Sequence, residues 1–445
     1  MSNITIPKLQ RALVLQGGGA LGAYEVGVIR VLYDELTEID KKNREEGRLL
    51  FDIIAGTSIG AMNGAVLVSN VVNRNKTWKD AVKELENFWT EEKKGLSSTP
   101  DFGKWWRNNG DIPNAVSASD DAARKYYSVK EYFRHGTPKV CTAPVVRGLD
   151  AKFGDQTDNL WFLHDSKPLE DTIVHYSKDQ NNKKLKIATS WNKGQPRLLV
   201  FSVEVAEGKI VTFDSYYRRA EDSENSLYED DGINIDHVMA SGTLPEFYDF
   251  RKIGGLQFCD GGLLSNTPFR ELLQAHQHYW QEILGKDRRK IPNLEVYIVN
   301  VHPSKGDPVA EGDHDAVKDR INDITFSDRN SEYDENVTNM ATDYIELIDR
   351  LKDLAESYIN KDEINAFRND FENFLETAET KSKSHAAKYR KYSDLLKGQF
   401  KLIKVVRIEP ERYTDSISGK GVDFTSKTIK DLIEKGKKDA LKVLK

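Results

Sequence analysis

The sequence has few of the residues that support disulfide or metal chemistry. Only two cysteines, Cys141 and Cys259, occur among 445 residues. A disulfide scaffold is therefore excluded, and we expect both residues to be reduced thiols that pack as small apolar side chains. No His or Cys cluster has metal-ligand spacing, so we expect neither a metal nor another cofactor.

Long apolar runs are also missing. No stretch approaches the ~20 residues of a membrane span, and residues 1–11 lack the apolar core of a signal peptide. Charged residues make up 31% of the chain and the net charge is −6, so nothing indicates nucleic acid as a partner. We expect a cytoplasmic protein, for which peripheral membrane contact and homo-oligomerisation both stay open.

One serine stands at a sharp junction between a strand and a helix. Ser58 lies between Gly56 and Gly60, after the apolar run 51–55 and before the helical apolar spacing of 62–69. Glycines at these positions allow a turn that a Cβ would block, so that the hydroxyl projects from the end of a sheet. The pattern predicts a nucleophile that forms an acyl-enzyme, although G-x-S-x-G alone also matches an ordinary tight turn.

A glycine-rich loop follows the first apolar run, 12–15. Gly17, Gly18 and Gly19 leave several amide N–H groups uncovered by side chains, and an amphipathic helix follows. The N-terminus of a helix favours an anion, because its first amides are free and its dipole is positive there. The loop therefore has the properties of an oxyanion hole.

Gly17, Gly19 and Gly22 also satisfy the G-x-G-x-x-G pattern of dinucleotide-binding turns. Such a unit needs an acidic residue at the end of its second strand, where it binds the ribose hydroxyls. Asp40 has about the right spacing, but it precedes a hydrophilic run and closes no strand. Dinucleotide binding, and a glycine turn with no ligand, are the lesser alternatives.

A third turn carries an aspartate. The short strand predicted at 256–259 ends on Asp260, and a helix with Pro268 in its first turn comes next. The ends of strands in an α/β sheet form ligand crevices, so we expect Asp260 on the edge where Ser58 lies. By itself, Asp-Gly-Gly is usually only a turn.

Together and in this order, the three motifs resemble those of the patatin-like phospholipase family, over about residues 10–75 and 185–305. The resemblance implies a Ser-Asp dyad that hydrolyses acyl esters of lipids, with Ser58 as the nucleophile and Asp260 as the base. The implied oxyanion donors are the backbone amides of Gly17, Gly18, Gly19 and Ile59. The glycines that support the motifs are Gly22, Gly56, Gly60, Gly261 and Gly262.

One position departs from that family. Its glycine loop often has Arg or Lys just before the last glycine, and this chain has Leu21. The resemblance therefore implies an acyl-ester lipid as the substrate without deciding between a phospholipid and a neutral lipid.

The resemblance also implies an α/β fold, a three-layer α/β/α arrangement with a mainly parallel central sheet. We place this domain at 8–325, with an aromatic-rich insertion at about 95–184 that either lines an acyl pocket or only packs its own loops. The remaining segment, 326–445, is a helical extension packed on the same domain. Its apolar spacing predicts a helical hairpin within 336–397, a strand at 401–408 and a basic helix from about Thr425, which either docks on the core or meets an anionic membrane.

Two other functions stay open. A Ser-His-Asp triad esterase is compatible with the chain order, because His276, His278 and His302 follow Asp260. A non-catalytic lipid-binding or scaffold protein on the same fold would need no nucleophilic serine. In a dyad enzyme Asp260 must be partly buried, because a carboxyl with the ordinary pKa of about 3.9 is a poor base at neutral pH.

Overall fold

The computed structural model describes residues 6–45, 47–98, 120–142, 161–178, 184–218, 227–228, 230–285, 290–306, 308–309, 313–381, 389–413 and 419–445. Part of the predicted aromatic insertion, including Trp105 and Trp106, lies outside these residues.

Residue contacts divide the chain into two compact units. The larger unit consists of Arg11–Phe269, Val296–Arg329 and Val406–Lys445, and the smaller of Met1–Gln10, Arg270–Glu295 and Asn330–Val405. The domain boundary predicted between 325 and 326 does not coincide with any boundary between these units.

The strands follow the apolar runs of the sequence. They are β1 (Leu9–Leu15), β2 (Ile53–Thr57), β3 (Gly136–Thr137), β4 (Cys141–Thr142), β5 (Lys186–Ile187), β6 (Arg197–Glu204), β7 (Lys209–Asp214), β8 (Ile233–Asn234), β9 (Arg251–Ile253), β10 (Leu256–Asp260), β11 (Asn293–Val299) and β12 (Leu402–Ile408).

The α-helices follow the runs with helical apolar spacing. They are α1 (Gly22–Lys42), α2 (Ile59–Val72), α3 (Trp78–Thr90), α4 (Asp120–His135), α5 (Lys167–Ser177), α6 (Ile235–Ser241), α7 (Phe269–Leu284), α8 (His314–Phe326), α9 (Ser331–Tyr358), α10 (Ile364–Thr377), α11 (Tyr392–Leu395) and α12 (Ser426–Leu444). Within the described residues, no helix is both long and apolar enough to span a membrane.

The central sheet confirms the predicted α/β class, with helices that flank a mixed sheet. Its strand order is β12-β11-β1-β2-β6-β10-β9, and β7 also pairs with β6. β1, β2 and β6 run parallel to one another, whereas β7 and β10 are antiparallel to β6. Every residue of β2 and β6 is buried, as expected for parallel strands that are covered on both faces.

Two strands share one edge of β6. β7 occupies one edge of β6, where it pairs with residues 199–204. β2 pairs with residues 197–201 of β6, and β10 pairs with residues 202–204. Both β2 and β10 therefore lie on the opposite edge of β6. β2 is parallel to β6 and β10 is antiparallel, and therefore their final residues meet end to end. This corrects the expectation that Asp260 shares the carboxyl edge of parallel strands with Ser58, because Asp260 approaches from the opposite direction.

The C-terminal helix docks within the larger unit. α12 buries an apolar stripe that includes Ile429, Leu432 and Ile433. Its packing against α1 is close: a Cβ on Gly27 would lie 2.0 Å from the carbonyl oxygen of Ile433, and one on Gly436 would lie 2.1 Å from that of Tyr24. The apolar face of the basic helix is therefore occupied by the protein core.

The smaller unit contains the predicted helical hairpin as α9 and α10. Arg270 on α7 pairs with Asp334 on α9 at 2.8 Å, and the Thr342 hydroxyl donates to the carbonyl of Phe400 at 3.1 Å. Large apolar side chains on the outer part of α9 are exposed, including Tyr344, Leu351 and Tyr358. The helical spacing in the sequence thus predicts the helices correctly.

Candidate active site

Ser58 occupies the turn between β2 and α2 in a rare backbone conformation. Its φ of 54° and ψ of −123° are unusual for a residue with a side chain. Neither flanking glycine has room for a side chain, because a backbone carbonyl oxygen lies close to it. A Cβ on Gly56 would lie 2.4 Å from the carbonyl oxygen of Gly60, and one on Gly60 would lie 2.5 Å from that of Leu15.

A second serine holds this turn in place. The amide of Ser58 donates to the hydroxyl oxygen of Ser241 at 2.9 Å, and that hydroxyl donates to the carbonyl of Phe201 at 2.6 Å. Ser241 ends α6 and has no exposed surface. It belongs to the segment 185–305, over which the sequence resembles the family, but nothing in the sequence indicates this role.

Asp260 is the last residue of β10 and lies beside Ser58. Its amide donates to the carbonyl of Thr243 at 2.9 Å, and its Oδ1 accepts from the amide of Gly262 at 2.7 Å. The Ser58 hydroxyl is one of the groups that lower the pKa of this carboxyl, so the two side chains lie close together. The structure thus brings together the two residues that the sequence assigns to nucleophile and base.

Burial controls the proton affinity of Asp260. Only 5% of the residue is exposed, and this desolvation raises its pKa to about 6, against the lowering effect of the hydrogen bonds from Gly262 and Ser58. At neutral pH the group is therefore mainly a carboxylate, yet it is a stronger base than an exposed aspartate.

The glycine loop packs tightly against Ser58 and Asn266. A Cβ on Gly17 would lie 2.4 Å from Oδ1 of Asn266 and 3.0 Å from Cβ of Ser58. The amide of Gly17 donates to the carbonyl of Asn266 at 3.2 Å. A side chain at Gly17 would therefore clash with Asn266 and Ser58. The amide of Gly17 already has an acceptor and is not free to bind an oxyanion, which corrects the expectation for this residue.

The other expected donors have a different environment. Gly19 begins a short 3-10 helix with φ of 57°, and a Cβ there would lie 2.3 Å from the carbonyl oxygen of Gly421. Ile59 is the first residue of α2, where amides have no acceptor within the helix. No described residue accepts a backbone hydrogen bond from Gly18 or Gly19. Gly18, Gly19 and Ile59 can therefore supply N–H groups to a ligand.

Gln16 fixes the start of this loop with its side chain. Oε1 accepts from the amides of Val301 and His302 at 2.7 and 2.8 Å. Nε2 donates to the Thr267 hydroxyl at 2.8 Å and to the carbonyl of Phe326 at 3.0 Å. No local pattern in the sequence indicates this role of Gln16, because its partners are about 250 residues or more away along the chain.

Ser58 and Asp260 line a cavity of about 430 Å³, a size typical of small-molecule sites. Its apolar lining includes Met62, Val129, Tyr132, Phe133, Val140, Leu169, Leu244 and Phe247. Its polar lining includes Asn266, His302, Lys318, Asp319 and Asn322. The cavity thus offers an apolar surface and a polar surface to one ligand.

Part of the aromatic insertion forms the apolar wall. The hydroxyls of Tyr132 and Tyr248 lie 2.9 Å apart, and the ring centroid of Phe133 is 5.8 Å from that of Phe247. Trp161 instead packs against a ring outside this lining, Phe250, at 4.6 Å. The pocket interpretation therefore holds for Tyr132 and Phe133.

The three histidines that follow Asp260 have different positions. His276 is fully buried in the smaller unit, where Nε2 is 2.8 Å from the carbonyl of Pro292. His278 is exposed on the same helix. His302 lines the cavity, and its Nδ1 is 3.1 Å from Oδ1 of Asp323. None of them is among the groups that shift the pKa of Asp260.

The residues considered for a cofactor have structural partners. Asp40 lies within α1 and pairs with Arg11 at 2.8 Å, away from any strand end. Cys141 and Cys259 are buried free thiols. In the part of the chain that the structure describes, no three His, Cys, Asp or Glu side chains converge in a way that could hold a metal ion.

The chain is similar in sequence to known proteins. The sequence model of the family described as "Patatin-like phospholipase" matches residues 13–273, more than half of the chain. A curated relative, the patatin-like phospholipase domain-containing protein ZK370.4 of Caenorhabditis elegans, is 36% identical over 122 residues. This match covers 27% of the present chain and only 7% of the length of the relative.

A solved structure is also similar. The crystal structure of VipD from Legionella pneumophila aligns with 98% of this chain and 67% of its own, with 14% sequence identity and a TM-score of 0.35.

Proposed function

Since the chain belongs to the patatin-like phospholipase family, whose members are in general lipid acyl hydrolases, we propose that it is a serine hydrolase that cleaves acyl esters of lipids through a Ser58-Asp260 dyad. The observation that carries this proposal is the close approach of a strained, glycine-flanked serine to a buried aspartate at the wall of a cavity.

In this mechanism Ser58 attacks the ester carbonyl carbon while Asp260 accepts the hydroxyl proton. A bond forms between Oγ and the carbonyl carbon, and the carbonyl oxygen becomes an oxyanion. Collapse of this intermediate breaks the bond to the alcohol, which takes the proton from Asp260. Water then attacks the acyl-enzyme, again with Asp260 as the base, and releases the fatty acid.

The amides of Gly18, Gly19 and Ile59 supply the proposed oxyanion hole. Their N–H groups lie at the start of helical turns, where the dipole favours negative charge. Loss of one such donor typically costs about 3 kcal/mol of transition-state stabilisation. The backbone fixes these donors before the substrate binds, because Gly17 and Gln16 are tied to distant parts of the larger unit.

The apolar wall is suited to the acyl chain. Tyr132, Phe133 and Phe247 line the cavity together with aliphatic side chains, and burial of a CH₂ group contributes about 0.8 kcal/mol. We therefore infer an acyl-ester lipid as the substrate class. Peripheral membrane contact and a homo-oligomer remain proposals from the sequence.

The triad esterase is the second candidate, since His302 lies in the same cavity and contacts an aspartate. Against it, Asp260 is the carboxylate that lies beside the Ser58 hydroxyl, and Asp323 rather than Asp260 contacts His302. A non-catalytic lipid-binding protein would gain nothing from the strained backbone at Ser58, which costs of order 1–3 kcal/mol.

A fluorescent organophosphonate tests the proposal directly. The folded protein should be labelled covalently, and peptide mapping should locate the adduct on Ser58. Ser58→Ala should abolish labelling and lower ester turnover at least about a thousandfold. Ser265→Ala is a control on a nearby serine and should still be labelled. An adduct elsewhere, or none on the folded chain, would contradict the enzyme assignment.

A further inference from the structure

His302 is a buried polar residue that the dyad mechanism leaves without a role. Only 3% of the residue is exposed, yet it lines the active-site cavity. Its position is fixed from two sides: its amide donates to Gln16 Oε1 at 2.8 Å, and its Nδ1 lies 3.1 Å from Asp323 Oδ1.

Lys420 pairs with the carboxylate that faces the His302 ring. Its ammonium is 2.8 Å from Oδ2 of Asp323 and 3.3 Å from Oδ2 of Asp319, and the residue itself is buried. Burial lowers the pKa of His302, against the opposing effect of Asp323. Since burial disfavours the charged ring, the imidazole is neutral, and the contact with Asp323 places its proton on Nδ1, facing the carboxylate.

The other ring nitrogen is a hydrogen-bond acceptor that faces the glycine loop. A Cβ on Gly18 would lie 3.3 Å from Nε2 of His302, and a Cβ on the preceding glycine would lie 3.0 Å from Cβ of Ser58. Gly17 therefore lies beside Ser58, and the next residue, Gly18, lies beside the imidazole of His302. Ser58 and His302 also line the same cavity, so one ligand bound there can face both residues.

The charges in this part of the cavity wall do not select an anion. Lys420 is committed to two aspartates, and Lys318 is exposed. At the position where the glycine loop of the family often has a cation, this chain has Leu21, which is 1% exposed. Among the described lining residues, no buried cation faces the ligand, whereas Nε2 of His302 and the amide of Asn322 offer uncharged polar contacts.

We propose that His302 is a specificity-determining residue whose Nε2 accepts a hydrogen bond from a free hydroxyl of the alcohol that the enzyme releases. Asp323 and Lys420 act as positioning residues, because they hold the tautomer that leaves Nε2 unprotonated. The preferred lipid then has a neutral, hydroxyl-bearing alcohol part, such as glycerol with a free hydroxyl. This inference rests on the proposed function.

Two esters with the same acyl chain test the proposal. 1-Octanoylglycerol releases an alcohol with free hydroxyls, and p-nitrophenyl octanoate releases one without an aliphatic hydroxyl. His302→Phe keeps a ring but removes the acceptor, and should lower the ratio of kcat/KM for the glycerol ester to kcat/KM for the nitrophenyl ester about tenfold. His302→Gln retains an acceptor at similar reach and should restore most of that ratio.

An exposed histidine provides the matched control. His314→Phe, at the first residue of α8, should leave the ratio unchanged. An equal loss on both esters in His302→Phe would overturn the proposal in favour of a general base or a structural role. An unchanged ratio would overturn it as well.

Binding to an inactive protein separates this inference from the proposed function. In the Ser58→Ala background, 1-O-octylglycerol, an ether that cannot be hydrolysed, should bind about tenfold more weakly after His302→Phe, as measured by calorimetry. An unchanged Kd would overturn the proposal even if neither ester proves to be a substrate. Failure of the proposed function would instead appear as a wild-type protein that hydrolyses neither ester and is not labelled at Ser58.

Discussion

Thr57 and Asp260 end two strands of opposite direction beside neighbouring residues of β6. Thr57 pairs with Phe201, and Asp260 pairs with Ser202. Ser58 follows the first of these ends directly, so the register of the sheet brings the backbone of Ser58 beside that of Asp260. Backbone hydrogen bonds on a central strand fix this placement, which makes it far more rigid than a contact between two loops.

Asp260→Asn should remove nearly all ester hydrolysis without loss of folding. The change preserves size but removes the proton acceptor, so activity should fall nearly as far as in Ser58→Ala. The double variant should be no less active than either single variant, because the two groups act as one unit. Initial rates with p-nitrophenyl octanoate measure all three variants. Additive losses in the double variant would indicate separate roles.

The pH dependence of kcat/KM should have an acid limb near pH 6. Burial raises the pKa of Asp260 to about 6, and only the carboxylate accepts the serine proton. The rate should therefore fall through pH 6 and be about tenfold below its plateau at pH 5. Initial rates between pH 4.5 and 9 test this. A plateau that extends to pH 5 would mean that Asp260 is not the titrating base.

The same shift predicts that Asp260 destabilises the folded protein at neutral pH. Its folded pKa of about 6 exceeds the ordinary value of 3.8, so the stability that protonation provides is present below pH 4 and is lost as the pH rises through 6. The difference between these two pKa values corresponds to about 3 kcal/mol in the free energy of unfolding.

Asp260→Asn should therefore be more stable than wild type at pH 8, by up to this amount. Urea unfolding at pH 8 and at pH 4.5 measures the gain, which should shrink at the lower pH. The control Asp171→Asn alters a carboxylate that is 67% exposed and should change stability by less than about 0.5 kcal/mol. A destabilised Asp260→Asn protein would mean that the carboxylate is not a desolvated charge.

Replacement of single histidines distinguishes the dyad from the triad. His276→Ala, His278→Ala and His302→Ala should each retain p-nitrophenyl ester turnover within about tenfold, a change of no more than ~1.4 kcal/mol in the barrier. Circular dichroism identifies variants that remain folded, which matters most for the buried His276. A folded variant as inactive as Ser58→Ala would identify that histidine as the base.

Local motifs were predictable because their physical causes are local. The strand-turn-helix at Ser58 follows from an apolar run, two glycines and helical spacing, all within about twenty residues. The structure confirms β2, α2, β10, β12 and the helical hairpin close to their expected positions. Backbone geometry at a turn depends on a few neighbouring residues, so the sequence shows it directly.

Contacts between distant segments were not predictable in this way. Ser241 binds the amide of Ser58, and Asn266 takes the amide of Gly17, because the fold brings segments about 180 and 250 residues apart together. The direction of β10 also escaped prediction, since a short apolar run has the same pattern in parallel and antiparallel strands.

The linear order of residues therefore specifies which groups are available for chemistry: a serine at a sharp turn, a glycine loop and an aspartate after a short strand. How these groups act depends on the packing of the folded chain. It buried Asp260 and so raised its pKa, committed the amide of Gly17 to Asn266, and placed His302 in the cavity. Desolvation and hydrogen-bond partners depend on which distant segments pack together, and a linear pattern of residues does not specify that.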